Sequence, residues 1–200
     1  FDLTRDELDT YAKKTGFLKN SLEKMFRLLN ILSVLKTHPV TKNAFVLKGG
    51  TALNLFILDI PRISVDIDVN YIQSISRSSM LTDRKVINFE IQKIFNSSYE
   101  IKMSRDVHAL TQFEFRYKTT SGSSDMLKLE INYLKRITLL PPQIMRAKRY
   151  RTFTNRVKQI WIFCFLRKKF SIGSLNRPHS SGKSKILSSI SDSPLCPSLF

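Results

Sequence analysis

Apolar residues recur at helical spacing through the first forty positions and mostly at strand spacing afterwards, with one further helical stretch in between. Thr4-Arg-Asp-Glu7 is a capping box that opens a first helix ending near Gly16. Asn20-Ser-Leu-Glu23 has the same form and predicts a longer helix to about Lys36, with Leu22, Met25, Phe26, Leu29 and Leu32 on its buried stripe. A third helix is expected from about Thr82 to Asn96, burying Val86, Phe89, Ile94 and Phe95. Strands are expected at Phe45-Val-Leu-Lys48, within residues 63–72, and near 99–103 and 109–118. The turn Ser121-Gly-Ser-Ser-Asp125 then leads into a last strand at 126–134 as a hairpin. Helices and strands interleave in this way in an α/β or α+β domain.

The run Ile63-Ser-Val-Asp-Ile-Asp-Val-Asn-Tyr-Ile72 carries two acids, Asp66 and Asp68. A strand repeats every two residues, so both point to one face, with their Cα atoms roughly 6.5 to 7 Å apart. Val65, Ile67 and Val69 fill the other face. A bare Asp-x-Asp is often a pair of solvated acids at a strand edge or turn, but here the flanking residues are apolar and β-branched, as in a buried strand. Two carboxylates on such a strand repel and lose hydration unless a cation lies between them. Mg²⁺ suits the position, because it takes hard oxygen ligands and is commonly held by one or two carboxylates plus substrate phosphates.

About fifteen residues upstream, Gly49-Gly50 breaks the Phe45-Val-Leu-Lys48 run with residues that tolerate positive φ and close backbone approach. Thr51 is expected to cap a helix over residues 52–58, so that free backbone N–H groups and the positive end of a helix dipole face the turn. A lone Gly-Gly is commonly only a tight turn. Strand, Gly-Gly-Thr, helix and then a strand with paired acids is far more specific, and it predicts a seat for a triphosphate.

Leu47-Lys-Gly-Gly-Thr-Ala-Leu-Asn-Leu-Phe56, followed by Arg62-Ile-Ser-Val-Asp-Ile-Asp-Val-Asn70, resembles the signature of the AbiEii (AbiEii/AbiGii-type) toxin nucleotidyltransferases. These belong to the DNA polymerase β-like nucleotidyltransferase superfamily, and the resemblance covers roughly residues 1–145. It implies a nucleotidyltransferase-type mixed sheet with N-terminal helices. It also implies transfer of a nucleotide from an NTP in the presence of Mg²⁺ or Mn²⁺, by the toxin of a type IV toxin–antitoxin system. Some members of the family add nucleotides to transfer RNA. An RNA acceptor and an antitoxin encoded by an adjacent gene are the partners implied.

That fold is expected to carry a third carboxylate on a later strand. In Met126-Leu-Lys-Leu-Glu-Ile-Asn-Tyr-Leu134 the alternation sets Lys128, Glu130 and Asn132 against Leu127, Leu129 and Ile131, which makes Glu130 the candidate. Lys128 and Asn132 on the same face would equally suit an ordinary wet surface. As third acid, Glu130 would help to hold the metal and accept the proton of an attacking hydroxyl. Asp66, Asp68 and Glu130 are thus the expected catalytic and metal-binding residues, and Lys48, Gly49, Gly50, Thr51 and Ser64 the expected nucleotide contacts. Arg62 follows Pro61, and its direction is not fixed by the alternation.

Charge divides the chain. Residues 1–130 hold 19 Lys and Arg against 15 Asp and Glu, whereas residues 131–200 hold 14 against one, Asp192. Clustered cations attract nucleic-acid phosphate by counterion release. From about Arg146, however, periodic order is lost: Arg-Ala-Lys-Arg-Tyr-Arg gives way to Ile-Trp-Ile-Phe-Cys-Phe-Leu and then to a serine-rich run. The resemblance implies instead a helical continuation with a lysine-bearing helix and an Arg-Asp-Leu-Tyr-Asp-like segment, and neither is present. The expectation is a nucleotidyltransferase domain over 1–145 and an irregular or disordered tail over 146–200, translated from a shifted or degraded frame. The competing reading is a true basic extension that binds RNA.

Residues 160–166 are too few to span a bilayer, and no signal peptide precedes the domain, which suggests a cytoplasmic protein. The initial Phe suggests a fragment or an imperfect gene start. Cys164 and Cys196 form neither a disulfide framework nor a zinc site, and His38, His108 and His179 have no partner at ligand spacing. The leading expectation is an NTP-dependent transferase. The alternatives are an inactive nucleotide- or RNA-binding remnant and a decayed toxin gene product.

Overall fold

A computed structural model describes residues 3–57, 63–138, 141–145 and, for the backbone, 161–163. All of them fall in one compact unit, residues 1–167. Helices α1 (Arg5–Thr15) and α2 (Lys19–Thr37) come first, followed by β1 (Phe45–Lys48), α3 (Gly49–Phe56) and β2 (Ile67–Tyr71). Next are α4 (Arg77–Phe95), β3 (Glu100–Val107), β4 (Leu110–Lys118), β5 (Ser124–Asn132), β6 (Gln143–Met145) and β7 (Trp161–Phe163). The strands form one seven-stranded mixed sheet in the order β3-β4-β5-β2-β1-β7-β6. The β2–β5 and β1–β7 pairs are parallel and the others antiparallel.

The first helix follows its sequence closely. Thr4 and Glu7 form the reciprocal capping box, and Gly16 closes the helix in the left-handed region at φ 73°. The second helix differs at its start. Leu18 is its N-cap, with no side-chain cap, and Asn20 lies inside the first turn. Glu23 is not a capping residue at all. It is 2% exposed, pairs with Arg27 at 2.9 Å, and accepts hydrogen bonds from the backbone N–H and hydroxyl of Thr120 at 3.1 and 3.0 Å. The motif resembled a cap because Asn20 and Glu23 have the spacing of a capping box, although Glu23 is held by Arg27 and Thr120 instead.

Alternation then divides the sheet into two faces. Phe113, Phe115 and Tyr117 of β4, Leu127, Leu129 and Ile131 of β5, Ile67, Val69 and Tyr71 of β2, and Phe45 and Leu47 of β1 are all buried. They share one core with Leu22, Met25, Leu29 and Leu32 of α2 and with Ile87, Ile91 and Phe95 of α4. Phe95 meets Phe115 edge to face at 5.2 Å, and Tyr11 joins α1 to Phe26 of α2 at 5.6 Å. The even-numbered residues of β4 and β5 lie on the opposite, open face, which carries the chemistry.

The inward face of α4 is not the one expected. Val86 and Phe89 are exposed, at 48% and 65%, and Ile94 is only partly buried, while Met80, Ile87, Ile91 and Phe95 face inward. The helix also begins earlier, after Ser76. A buried arginine explains the rotation. Arg84 donates to the backbone carbonyls of Val107 and His108, forms an ion pair with Asp106, and stacks over Tyr133 at 4.8 Å. This tie to the β3–β4 hairpin sets which stripe of α4 faces the sheet, and apolar periodicity alone does not register it.

Residues 161–163 lie in the stretch where the sequence shows no period, yet they pair with β1 at Leu47↔Phe163 and with β6. The rest of the proposed irregular tail, and its proposed change of reading frame, fall outside the described residues.

Glu23 links α2 to the loop of the β4–β5 hairpin through its hydrogen bonds from Thr120, and it pairs with Arg27 within the helix. Replacing it with alanine strands Arg27 and two donors of Thr120, and removing one partner of a buried pair costs roughly 3 kcal/mol or more. Glu23→Ala is expected to lower the urea midpoint markedly with little change in slope, and a shift of only a few tenths of a molar would show the pair to be dispensable.

Candidate active site

Register sets the site. In the antiparallel β1–β2 pair, Lys48 is opposite Asp68, and in the parallel β2–β5 pair, Asp68 is opposite Glu130. Gln112 of β4 is opposite Glu130. Directly paired residues on neighbouring strands point to the same side, so Gln112, Glu130, Asp68 and Lys48 form a transverse row on the open face. Asp66 precedes the first residue of β2 and is exposed.

The turn between β1 and α3 lies against this row. Gly49 has φ 74°, a conformation that favours glycine, and a Cβ placed there would lie 2.6 Å from Asp68 Oδ2, so the carboxylate would have to turn away from it. Gly50 is hemmed in by Ser64, whose Oγ would lie 3.2 Å from an added Cβ. The helix starts at Gly49 with Lys48 as N-cap, so Thr51 does not cap it as expected. Thr51 is 1% exposed; its hydroxyl donates to the Asp66 carbonyl at 2.5 Å and shares a hydrogen bond with the Ser64 hydroxyl at 3.0 Å. Asn54, also buried, accepts from the backbone N–H of Ser64 at 3.2 Å. The α3 helix therefore fixes the segment leading into β2 through two side chains, and this fixes where Asp66 and Asp68 begin.

Electrostatics adds a constraint. Burial pushes the Asp68 carboxyl above its ordinary value of 3.8, Lys48 pulls it back down, and Glu130 and Asp66 push it further up. None of the described hydrogen-bond donors reaches that carboxylate. Two residues further along the same face, Asn70 Oδ1 is buried with no hydrogen-bond partner.

Among the described residues no group of three or more His, Cys, Asp or Glu side chains is gathered closely enough to hold a metal ion. The donor chemistry nevertheless suits a hard cation. Asp68 is a half-buried carboxylate with an acid in register beside it, another acid just upstream and no hydrogen bond to offset the repulsion, which is a liability that a divalent ion removes. An ion held by two carboxylates would take its remaining ligands from substrate oxygens and water, which is how Mg²⁺ is commonly bound.

Of the expected residues, the structure brings together Lys48, Gly49, Asp68 and Glu130. Asp66, Gly50, Thr51 and Ser64 are joined to them through the α3–β2 contacts. The sequence reading missed Asn54 and Asn70. Asn70 was legible as the next residue on the face of Asp68, but a buried helix asparagine such as Asn54 gives no signal in the sequence. A concavity of about 920 Å³ lies elsewhere, lined by Arg27, Tyr99, Tyr117 and Lys118 among others, and includes none of the site residues.

A mixed sheet with carboxylates on its open face beside a Gly-Gly turn is the arrangement of a nucleotidyltransferase-type fold. The chain belongs to the family described as nucleotidyl transferase AbiEii toxin of the type IV toxin–antitoxin systems, whose model matches residues 31–156. Among solved structures it is similar to MenT4, a nucleotidyltransferase toxin from Mycobacterium tuberculosis H37Rv. The identity is 16% and the TM-score 0.51, over 84% of this chain and 56% of that one. It is also similar to JHP933 from Helicobacter pylori, at 22% identity and TM-score 0.45 over 70% of this chain and 57% of that one. A putative nucleotidyltransferase from H. pylori matches at 23% identity and TM-score 0.46, over 70% and 59%. The chain thus spans less than two thirds of the length of these solved proteins. No curated protein sequence matches it. No helix among the described residues is long and apolar enough to cross a membrane.

Gly49→Ala forces a side chain into the left-handed region, which costs about 1–2 kcal/mol for the backbone alone, and displaces the Asp68 carboxylate as well. It is expected to lower both the thermal midpoint and nucleotide affinity, and an alanine variant that matched the wild type in both would disprove the close approach.

A second outcome follows from the charge on Asp68. A carboxyl with a raised value in the folded state binds its proton more tightly there than in the unfolded chain. Metal-free stability contributed by this group therefore falls as pH rises from about 3.8 through the raised value. Asp68→Asn is expected to flatten that dependence in EDTA and to equal or exceed the wild type at neutral pH. Urea titrations at pH 4 and 7 measure this, and an unchanged slope against pH would remove the argument.

Proposed function

We propose that the chain transfers a nucleotide from an NTP to a hydroxyl of an acceptor RNA, with transfer RNA as the leading case, in the toxin role of its family. The observation that carries this reading is the in-register pair Asp68 and Glu130 beside a left-handed glycine turn that the Asp68 carboxylate approaches closely. In the reaction, the acceptor oxygen forms a bond to the α-phosphorus, the bond from that phosphorus to the bridging oxygen of the β-phosphate breaks, and pyrophosphate leaves. The hydroxyl proton passes to Glu130 or to a water beside it.

The chain's residues have separable tasks in this reading. Gly49 and Gly50 let the phosphates approach the backbone at the start of α3, where the free N–H groups of a helix N-terminus favour an anion. Lys48 adds positive charge to the phosphate side of the row and offsets the charge on Asp68. Thr51 and Ser64 act mainly through each other, holding the backbone at Asp66, with the Thr51 N–H left to face the phosphates. Asp66, Asp68 and Glu130 would hold Mg²⁺ or Mn²⁺, and such an ion supplies charge neutralisation of the phosphate oxygens and alignment of the nucleophile. In-line transfer of this kind depends on positioning and electrostatic stabilisation. An antitoxin encoded nearby is the protein partner that this role requires.

The test is incubation of the chain with labelled NTPs, Mg²⁺ and RNA. Label in RNA is the expected outcome, with Asp68→Asn and Glu130→Gln each reducing it by on the order of 10²-fold or more, as for loss of one transition-state contact. If the wild type binds Mg²⁺ and NTP by calorimetry but never labels RNA, the chain is a binding remnant rather than a transferase.

A further inference from the structure

We propose that the open face of β3, β4 and β5 seats the acceptor, a single-stranded RNA end that runs from the carboxylates across Lys128 toward Lys102 and Arg105. The proposal rests on the nucleotidyl-transfer reading above and adds where the second substrate lies.

Lys102 is opposite Glu114, and Glu114 is opposite Lys128. One step along, Arg105 is opposite Gln112, which is opposite Glu130 and continues the row to Asp68 and Lys48. The β-bulge between Met103 and Arg105 sets this alignment. Without the extra residue Ser104, Arg105 would face the core side. Lys128 thus stands one side-chain repeat, about 7 Å, from Glu130, while Lys102 and Arg105 lie two strands away, about 10 Å from β5.

Lys102, Arg105 and Lys128 are all exposed, and none forms an ion pair or a side-chain hydrogen bond among the described residues. The neighbouring acid, Glu114, is already bonded to Arg116 at 3.2 Å. An ordinary solvated strand face mixes charges of both signs to similar extent. Here Glu100 lies opposite Arg116 at the far end of β3, and the charges nearer the carboxylates that have no ion pair among the described residues are cations. On the other side of Asp68, Lys48 is the one charged residue that β1 adds to this row, and Val46 beside it is buried.

An extended strand with its terminal hydroxyl at Asp68 and Glu130 would place its next phosphates on Lys128 and then on Lys102 or Arg105. The face presents no aromatic side chain on β3, β4 or β5. Base stacking therefore contributes little, and the seat recognises backbone rather than sequence. A duplex is a poorer fit, because its terminal hydroxyl is set back in a paired helix while the carboxylates sit in the plane of a broad sheet.

The test uses the full chain and a short fluorescent single-stranded RNA with a free 3′ hydroxyl, titrated at several salt concentrations. The variant K102Q/R105Q/K128Q is compared with wild type and with K85Q/K93Q, which alters exposed lysines of α4 on the other side of the sheet. The excess of basic residues over 131–200 would draw RNA in wild type and variants alike, so the quantity read is the difference between variants. Loss of three phosphate contacts should flatten the log–log salt slope by about 2, at about 0.7 per contact, and weaken binding at least roughly tenfold at low salt. The K85Q/K93Q control should match the wild type, and all three proteins should retain their thermal midpoint and their affinity for Mg²⁺ and NTP.

A triple variant with wild-type affinity and slope would overturn the proposal. So would an oligoglutamate peptide of equal charge that competes as well as RNA, since the face would then be a docking surface for an acidic protein. The two levels of the argument separate cleanly. RNA binding lost in the triple variant, with no labelling by the wild type, supports the surface and overturns the transferase reading. Labelling with an unchanged KM for RNA in the triple variant overturns the surface alone.

Discussion

Everything at the open face depends on the approach of the Asp68 carboxylate to the backbone of Gly49. The β1–β2 register puts Lys48 opposite Asp68 and brings the carboxylate against Gly49, where the strand becomes a helix through the left-handed region that favours glycine. The parallel pairing of β2 with β5 then brings Glu130 alongside. No hydrogen bond among the described residues compensates the acids. The arrangement is held from behind, by the buried apolar residues Ile67, Val69, Leu129 and Ile131 on the other side of the same strands.

This division of labour explains why the site can remain electrostatically unfavourable without unfolding the sheet. Alternation gives each strand one face that contributes hydrophobic burial and one that does not, so the core and the carboxylates are carried by interleaved residues of the same segment. The Thr51 hydroxyl bonded to the Asp66 carbonyl, and Asn54 bonded to the Ser64 N–H, tie α3 to the strand from the side. These ties are local and specific. They set position at little cost in charge, which is what a site with unbalanced acids needs.

The strands and the acid row were legible because period-2 patterning fixes a residue's face from its number alone. Glu130 fell opposite Asp68 by that rule once β2 and β5 were paired, although pairing itself is a long-range property that the sequence shows only through resemblance. The failures have a common cause. Glu23 and Arg84 are charged residues that the fold buries in ion pairs, and each misled a local rule, one by imitating a cap and the other by turning α4 away from its most apolar stripe. Thr51 has the composition of a cap but lies one turn too deep, because Gly49 is already helical. A buried polar tie between distant segments leaves no periodic trace.

The asymmetry of the open face follows from the same geometry. β2 lies near the middle of the sheet, so two flanks adjoin the carboxylates. The α3 turn and its glycines fill the flank toward β1, where a compact, highly charged phosphate group is accommodated by backbone rather than by side chains. The flank toward β3 spans three strands, and its cations with no ion pair among the described residues, Lys102 and Arg105 of β3 and Lys128 of β5, are exposed and set apart. Small anions are best held by converging N–H groups, whereas a long polyanion is best met by separated charges that each displace a counterion. The two flanks therefore differ in the scale of anion they suit, and the acids between them lie where a hydroxyl from one and a phosphorus from the other would meet.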